Sequence, residues 1–329
     1  MTNTMLRWPA DEAAICERIF SVKNDLKIVL KTRNETEFLE RWILHHLRIA
    51  GPKGLVIFDN GSSAPAVLDI YARYHPLVEV FGWDLNHNLI HDPKICRPLY
   101  LALQASCRHF TFLDTDELAG WTDGVRLIED GLDGWLANDD EGLVYPGMWW
   151  QYLPGSAGVY IPGIDLTWGK PVVSSSVDLD FGFDGEIIHN MQLIQRHSGL
   201  RLRGGLVVCH HSMDNAERRI RVNIDKIIAN RFATNGEEVE TIIASDNIEE
   251  LSPNIYRFWV QEIVRCRAGI RTHEPTGILE RMHIAVEANG RLRFGSPEIA
   301  NALKDFGAGR ALIHHHNSSP PHPGTVNAD

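Results

Sequence analysis

Apolar, β-branched runs alternate with helical periodicity from residue 26 to residue 114, and this alternation restricts the fold more than any other feature of the chain. "LKIVLKT" (26–32), "GLVIFDNGSS" (54–63), "LVEVFGWD" (77–84) and "FTFLD" (110–114) read as strands. Segments with helical spacing lie between them. In "RNETEFLERWILHHLRIAG" the apolar residues Phe38, Leu39, Trp42, Ile43, Leu47 and Ala50 share one face. Asn34 with Glu37 matches a capping box, and Gly51-Pro52 stops the helix. "APAVLDIYARYHP" and "DPKICRPLYLALQASCRH" predict two more helices. Strands alternating with helices imply an α/β fold, a parallel sheet covered on both faces. Ligands of such sheets sit beyond the carboxyl ends of the strands. The polar endings Thr32-Arg33-Asn34-Glu35, Asp59-Asn60, Asp84 and Asp114-Thr115-Asp116 are therefore expected along one edge.

The last of these endings is the most demanding. "FTFLDTDELAG" (110–120) runs from a buried-looking strand into Asp114, Asp116 and Glu117. Carboxylates so close repel one another, and burial of even one is costly without a partner. The cluster is either a solvated turn or a place where something cationic sits. Two carboxylates one residue apart suit a hard divalent cation bridged to a phosphate, because Mg²⁺ and Mn²⁺ take oxygen ligands. A bare D-x-D is short and common, and by itself favours the solvated turn.

Composition limits the partners. With 32 Lys and Arg against 43 Asp and Glu, the net charge is −11. That balance argues against nucleic acid or an anionic membrane as a target. The basic stretches "RLRGG" and "ERRIR" are short and carry apolar neighbours. The five cysteines are scattered, without a C-x-x-C, which fits a reducing compartment. The N-terminus lacks a basic segment followed by an apolar run, so no signal peptide is expected. Residues 142–164 carry no formal charge, but Pro146, Pro154 and Pro162 argue against a spanning helix. A cytoplasmic protein without a transmembrane segment is the expectation.

After residue 120 the alternation breaks. "WTDGVRLIEDGLDGWLAND" suggests a helix, and "EGLVYPGMWWQYLPG" a strand with an aromatic loop. Further strands and turns follow in "GKPVVSSSVDLDFGFDGEIIHN" and "QLIQRHSGLRLRGGLVVCHHS", with helices over 214–233 and 248–271. The expected division is a lead-in with one short helix (1–25), a catalytic unit (26–235), a helical C-terminal region (236–313) and a low-complexity, disordered tail (314–329).

In their order these segments resemble the GT-A-fold glycosyltransferases, closest to the bacterial group around glycosyltransferase families 2 and 92. The resemblance is carried by Arg33-Asn34-Glu35 before the helix with Trp42-Ile43-Leu44-His45-His46, by Asp59-Asn60-Gly61-Ser62, by Asp114-Thr115-Asp116-Glu117 and by His210-His211 after "LVVC". It covers roughly residues 26–230 and departs at Arg33, where the family has Lys, and at His211, where an aromatic is usual. It implies a Rossmann-like, mostly parallel sheet and a metal-dependent transfer from a nucleotide-sugar, UDP-linked by preference, to a glycan or lipid-linked hydroxyl. Inversion would be the course, in polysaccharide biosynthesis.

The same resemblance implies roles. Thr32, Arg33, Asn34, Glu35, Asn60 and Thr115 would line the nucleotide pocket, and Asp59 would accept a ring N–H of the base. Asp114 would contact the ribose or metal-bound water. Asp116 would ligate Mn²⁺ or Mg²⁺ with His210, although His211 remains an alternative because neighbours on a strand face opposite sides. A general base is expected in "DLDFGFDGE", with Asp180 and Glu186 favoured over Asp178 and Asp184. Trp149, Trp150, Tyr152 and Trp168 could stack on an acceptor sugar. Two other readings stay open: a nucleotidyltransferase, disfavoured because "KTRNETE" has no glycine-rich phosphate loop, and a nucleotide- or glycan-binding module with a degenerate site.

Overall fold

The computed structural model describes residues 5–122, 127–128, 131–137, 143–152, 159–160, 169–177, 201–202, 206–211, 215–245, 247–268, 284–286 and 292–294. Side chains of Trp149, Trp150 and Tyr152, and all of Trp168, Asp178, Asp180, Asp184, Glu186 and the tail, lie outside what it describes.

The centre of the fold is a strand buried on both faces. Strand β2 (Asn24–Thr32) follows the edge strand β1 (Arg7–Trp8) and helix α1 (Glu12–Ser21), and every residue of β2 from Leu26 on is buried. A near-continuous apolar run is what a parallel sheet with two covered faces requires. Helix α2 (Leu39–Ala50) then leads to β3 (Leu55–Asp59), α3 (Pro65–Tyr74) to β4 (Glu79–Trp83), and α4 (Arg97–Ser106) to β5 (Cys107–Leu113). These strands lie in the order β1-β4-β3-β2-β5, all parallel. The chain extends the sheet outward from β2 through β3 and β4, then returns to place β5 on the other side. The gap between the ends of β2 and β5 is thus the topological switch point, where a crevice opens.

Two local features differ from expectation. The N-terminal residues are part of the body, since β1 pairs with β4 and the buried Trp8 stacks on Trp83 at 6.1 Å. Helix α2 starts without the Asn34–Glu37 capping box. Glu35 instead orders the turn that leads into it, its Oε1 accepting from the N–H groups of Glu37 (3.0 Å) and Phe38 (3.4 Å). Asn34 adopts φ 49° and turns away, its Oδ1 accepting from Ser63 and Ala64 N–H at the start of α3. A left-handed backbone is tolerable for Asn, and it frees Asn34 to latch one strand-end loop to the next.

Beyond β5 the sheet becomes mixed. Strands β6 (Glu117–Thr122) and β7 (Leu127–Ile128), helix α5 (Leu132–Ala137), and strands β8 (Leu143–Tyr152), β9 (Val159–Tyr160), β10 (Gly169–Ser174), β11 (Arg201–Leu202) and β12 (Leu206–His210) follow. The order continues β5-β10-β8-β12-β6-β7, with β9 and β11 beside β8. Of the segment 121–139 expected to be helical, the described residues include α5, but Trp121 and Thr122 belong to β6 and Leu127–Ile128 form β7. Residues 117–121 pair antiparallel with β12, and at Trp121 strand-to-strand hydrogen bonds outweigh weak helical periodicity.

Helices α6 (Ala216–Ala229), α7 (Gly236–Ile243) and α8 (Asn254–Arg267) form a second apolar cluster around Ile227, Val239, Tyr256, Trp259, Val260 and Ile263. Helix α6, which the sequence groups with the catalytic unit, shares its apolar face with α7 and α8. Arg219 fastens it to the buried Glu262 at 2.7 Å, and Asn223 Nδ2 donates to the same carboxylate at 2.8 Å. An antiparallel pair, β13 (Ile284–Val286) with β14 (Leu292–Phe294), lies within the region expected to be helical. Among the described residues no helix is long and apolar enough to cross a membrane.

Candidate functional site

The crowded carboxylates after β5 sit in a tight turn that fixes their directions. Glu117 N–H donates to the Asp114 carbonyl at 3.0 Å, and Asp114 N–H donates to Glu117 Oε2 at 2.7 Å. The turn delivers the chain to β6, where antiparallel pairing sets His210 of β12 opposite Glu117. His211 N–H closes the junction by donating to the Asp116 carbonyl at 2.8 Å.

Two consecutive histidines of α2 hold β6 from below. His45 Nε2–H donates to the Ala119 carbonyl at 2.7 Å, and His46 Nδ1–H donates to the Trp42 carbonyl at 2.9 Å. His46 Nε2 is then the acceptor for Ala119 N–H at 3.2 Å, which requires a neutral ring. Burial, with His45 adding to it, holds His46 well below its ordinary pKa and keeps that ring neutral.

The something cationic is supplied by the protein itself. Lys170 of β10 is buried, its Nζ 3.0 Å from Asp114 Oδ2 and 3.4 Å from Glu117 Oε2. Arg218, in the first turn of α6, is 2% exposed. Its Nη1 donates to Asp116 Oδ2 at 3.2 Å and its Nη2 to Glu35 Oε2 at 3.0 Å, while the guanidinium lies 4.3 Å over the Phe38 ring. His210 Nε2 is 3.6 Å from Asp116 Oδ1. His211 faces the other way, toward Arg41 and Phe38.

These neighbours decide the protonation states. Burial acts to raise the Asp116 carboxyl, but His210 and Arg218 outweigh it and hold the group below the usual carboxylate range. Glu117 is pushed up to about 7 by burial, against the pull of Lys170. Lys170 remains above its ordinary range, because Asp114 and Glu117 outweigh the burial that would lower it.

A cleft opens over the ends of β2 and β5, with α6 as its far wall. Thr32, Arg33, Glu35, Asp114, Thr115 and Asp116, all expected from the sequence, line it together. Thr115 Oγ1 donates to Thr32 Oγ1 at 3.1 Å, which joins the two strand ends directly. Lys31, Arg218, Asp225 and Lys226 also line it and were not singled out by sequence reading. The only prior signal for the three cations among them was arithmetic: buried carboxylates in this number need cations from elsewhere in the chain.

Asn34, Asp59, Asn60 and His210 are not part of that lining. Asn60 ties β3 to the end of β4, its Nδ2 donating to the Trp83 carbonyl at 2.8 Å. Asp59 is 4% exposed; its Oδ1 accepts from Tyr71 Oη–H and its Oδ2 from Ser62 N–H, each at 2.9 Å. Asp59→Ala is therefore expected to lower the free energy of unfolding by about 2 kcal/mol, since a buried tyrosine hydroxyl loses its charged acceptor. Urea denaturation measures this, and a loss below about 0.5 kcal/mol would remove Asp59 as an anchor of the turn.

Asp114, Asp116 and His210 were expected to share a metal ion. Among the described residues no group of three or more His, Cys, Asp or Glu side chains is arranged to hold one. One oxygen of each carboxylate already faces a cation, Asp114 Oδ2 with Lys170 and Asp116 Oδ2 with Arg218. As arranged, these residues do not fit Mn²⁺ or Mg²⁺.

No family model matches the chain, and no curated protein matches it in sequence. Similar solved structures include Staphylococcus aureus TarS residues 1–349 in complex with UDP, at 14% identity and a TM-score of 0.37, covering 75% of this chain and 72% of that one. They also include the mannosyltransferase PcManGT of Pyrobaculum calidifontis with GDP-Man and Mn²⁺, at 12% identity and a TM-score of 0.37, covering 75% and 71%. GalNAc-T7 with UDP, GalNAc and Mn²⁺ is similar at 13% identity and a TM-score of 0.36, covering 57% of this chain and 43% of that one.

Proposed function

We propose that the cleft binds a nucleotide-sugar and that the protein is a glycosyltransferase, moving the sugar to a hydroxyl of a glycan or lipid-linked acceptor with inversion. One observation carries this reading. The crevice at the switch point between β2 and β5 gathers Thr32, Arg33, Glu35, Asp114, Thr115 and Asp116 with the cations Lys31, Arg218 and Lys226. A crevice at that place in a parallel sheet is where nucleotides dock. Cations fixed in it suit a reaction whose leaving group is a nucleoside diphosphate, because negative charge grows on the phosphates as the glycosidic bond breaks.

Within this reading the chain's own groups have separate tasks. Thr32 and Thr115 offer hydroxyls at the junction of the two strands. The Asp116 carboxylate is held ionised, Asp114 is oriented by Lys170, and both can accept from sugar or ribose hydroxyls. Asp59 retains acceptor capacity beyond its two hydrogen bonds and would favour a base with a ring N–H, as in UDP or GDP, over ADP or CDP. The acceptor hydroxyl needs a base within hydrogen-bond reach; Asp180 and Glu186 are the side chains proposed for it.

The test is a thermal-shift screen of UDP, GDP, ADP and CDP and their sugars, with and without Mn²⁺, followed by measurement of UDP or GDP release. A ligand that binds only the native state raises the midpoint, by about 2.7 kcal/mol of stability at one hundred times its Kd. UDP-sugars are expected to stabilise most, with ADP and CDP at least about tenfold weaker. Absence of stabilisation by every nucleotide and nucleotide-sugar, under both conditions, would overturn the assignment.

A further inference from the structure

The carboxylates and the cations of the cleft are unequally committed. Glu35 and Asp116 share Arg218, and Asp114 is paired with Lys170. Asp225 is the remaining carboxylate of the lining and has Arg33 and Arg221 as attractive neighbours. Lys31, Arg33 and Lys226 make no ion pair with a carboxylate among the described residues. Lys31, at the end of β2, is 5% exposed, and its Nζ touches only neutral partners, Asn88 Oδ1 at 3.4 Å and His91 Nε2 at 3.1 Å. Arg33 Nε is buried without a hydrogen-bond partner. Lys226 lies two turns along α6 from Arg218, on the same wall of the cleft. A desolvated cation without a counter-ion is costly. Burial brings Lys31 down to about 7 against the pull of Asp114, and burial with Arg219 lowers Lys226 against the pull of Asp114, Asp116 and Glu262. An anion entering the cleft would remove that cost for both.

We propose that Lys31, Arg33 and Lys226 form a cradle for a diphosphate group, and that the cradle holds it without a divalent metal. The carboxylate turn, the place a metal would occupy, is already neutralised from within by Arg218 and Lys170. A metal there would add its charge to carboxylates that each already face a fixed cation, Asp116 with Arg218 and Asp114 with Lys170. The nucleoside attached to that diphosphate rests on the nucleotide-sugar reading above, whereas the cradle itself does not. Electrostatic stabilisation of the departing phosphates then comes from fixed side chains, which need no reorganisation when charge develops.

The experiment uses the full chain and two probes, inorganic pyrophosphate and UDP, titrated by calorimetry in EDTA and again with Mn²⁺. Pyrophosphate is expected to bind in EDTA with an affinity within about threefold of that with Mn²⁺. Lys31→Gln and Lys226→Gln should each weaken it about tenfold, as loss of one charge-assisted contact predicts. Lys226→Arg, which keeps the charge, should stay within about threefold of wild type. Lys226 is partly exposed, so the pair at that position decides the matter even where Lys31→Gln fails to fold. Pyrophosphate binding only with Mn²⁺, or wild-type binding by Lys226→Gln, would overturn the cradle. UDP binding that requires Mn²⁺ would overturn metal independence and leave the transferase reading standing. Pyrophosphate binding in EDTA with no gain for UDP would leave the cradle and remove the nucleotide-sugar reading.

Discussion

Arg218→Met is expected to cost about 3–5 kcal/mol of stability, because removing one partner of a buried ion pair leaves the other charged and unpaired. Here there are two such partners. Glu35 and Asp116 are 6% exposed, and each accepts a hydrogen bond from the same guanidinium. Glu35 also holds the turn before α2, so its displacement would loosen the entry to that helix. The loss should depend on pH in a definite direction. Asp116 is held below the usual carboxylate range in the fold, so the stability it contributes is present at neutral pH and fades as the pH falls through and below that range. The variant lacks much of this contribution. The gap between wild type and Arg218→Met, read from urea denaturation, should therefore be wider at pH 7 than at pH 4. The triple variant Arg218→Met, Glu35→Gln, Asp116→Asn should recover most of the loss, since it leaves no buried charge unpaired. A loss below about 1 kcal/mol at pH 7, or a gap that widens in acid, would show that Arg218 does not neutralise these carboxylates.

Lys170→Met is the second large effect, with about 3 kcal/mol expected at pH 8. Lys170 is 1% exposed and Glu117 wholly buried, with 3.4 Å between Nζ and Oε2. Burial pushes Glu117 up to about 7 in the fold, above the ordinary value for a glutamate. A carboxyl raised in this way favours the fold in acid and progressively loses that contribution as the pH rises toward 7. Removing Lys170 raises Glu117 further, so the variant should suffer more at pH 8 than at pH 5. Glu117→Gln supplies the control. Relative to wild type it should gain stability between pH 5 and pH 8, because the amide has no charge to bury. Denaturation at the two pH values tests both variants, and an equal loss for Lys170→Met at each would exclude Glu117 as the responsible group.

The two substitutions also mark where sequence reading stops. Both cations lie far along the chain from the carboxylates they serve. Lys170 is 56 residues from Asp114, and Arg218 is 102 residues from Asp116. "ERRIR" reads as an ordinary helical stretch, and nothing in it distinguishes the buried Arg218 from its exposed neighbour Arg221. Arg218 faces inward because α6 is pinned by its neighbour Arg219, which grips Glu262, and at its far end by Ile227, which enters the second apolar cluster. The choice between His210 and His211 likewise waited on register: with His210 opposite Glu117, its ring falls beside Asp116 and that of His211 beside Phe38.

By itself the sequence determined the parallel strands β2 to β5, the helices between them, and the edge on which their polar endings gather. Those features follow from local periodicity, apolar runs and turn residues, which act over a few neighbouring positions. It thereby placed Thr32, Arg33, Glu35, Asp114, Thr115 and Asp116 at one cleft. Only the tertiary structure decided that residues 117–121 form a strand, that Asn34 and Asp59 anchor loops, and that Lys170 and Arg218 answer the carboxylates. Those outcomes depend on contacts between elements far apart in the chain. A buried charge is settled by whichever cation packing brings within about 4 Å, and no local pattern encodes that approach.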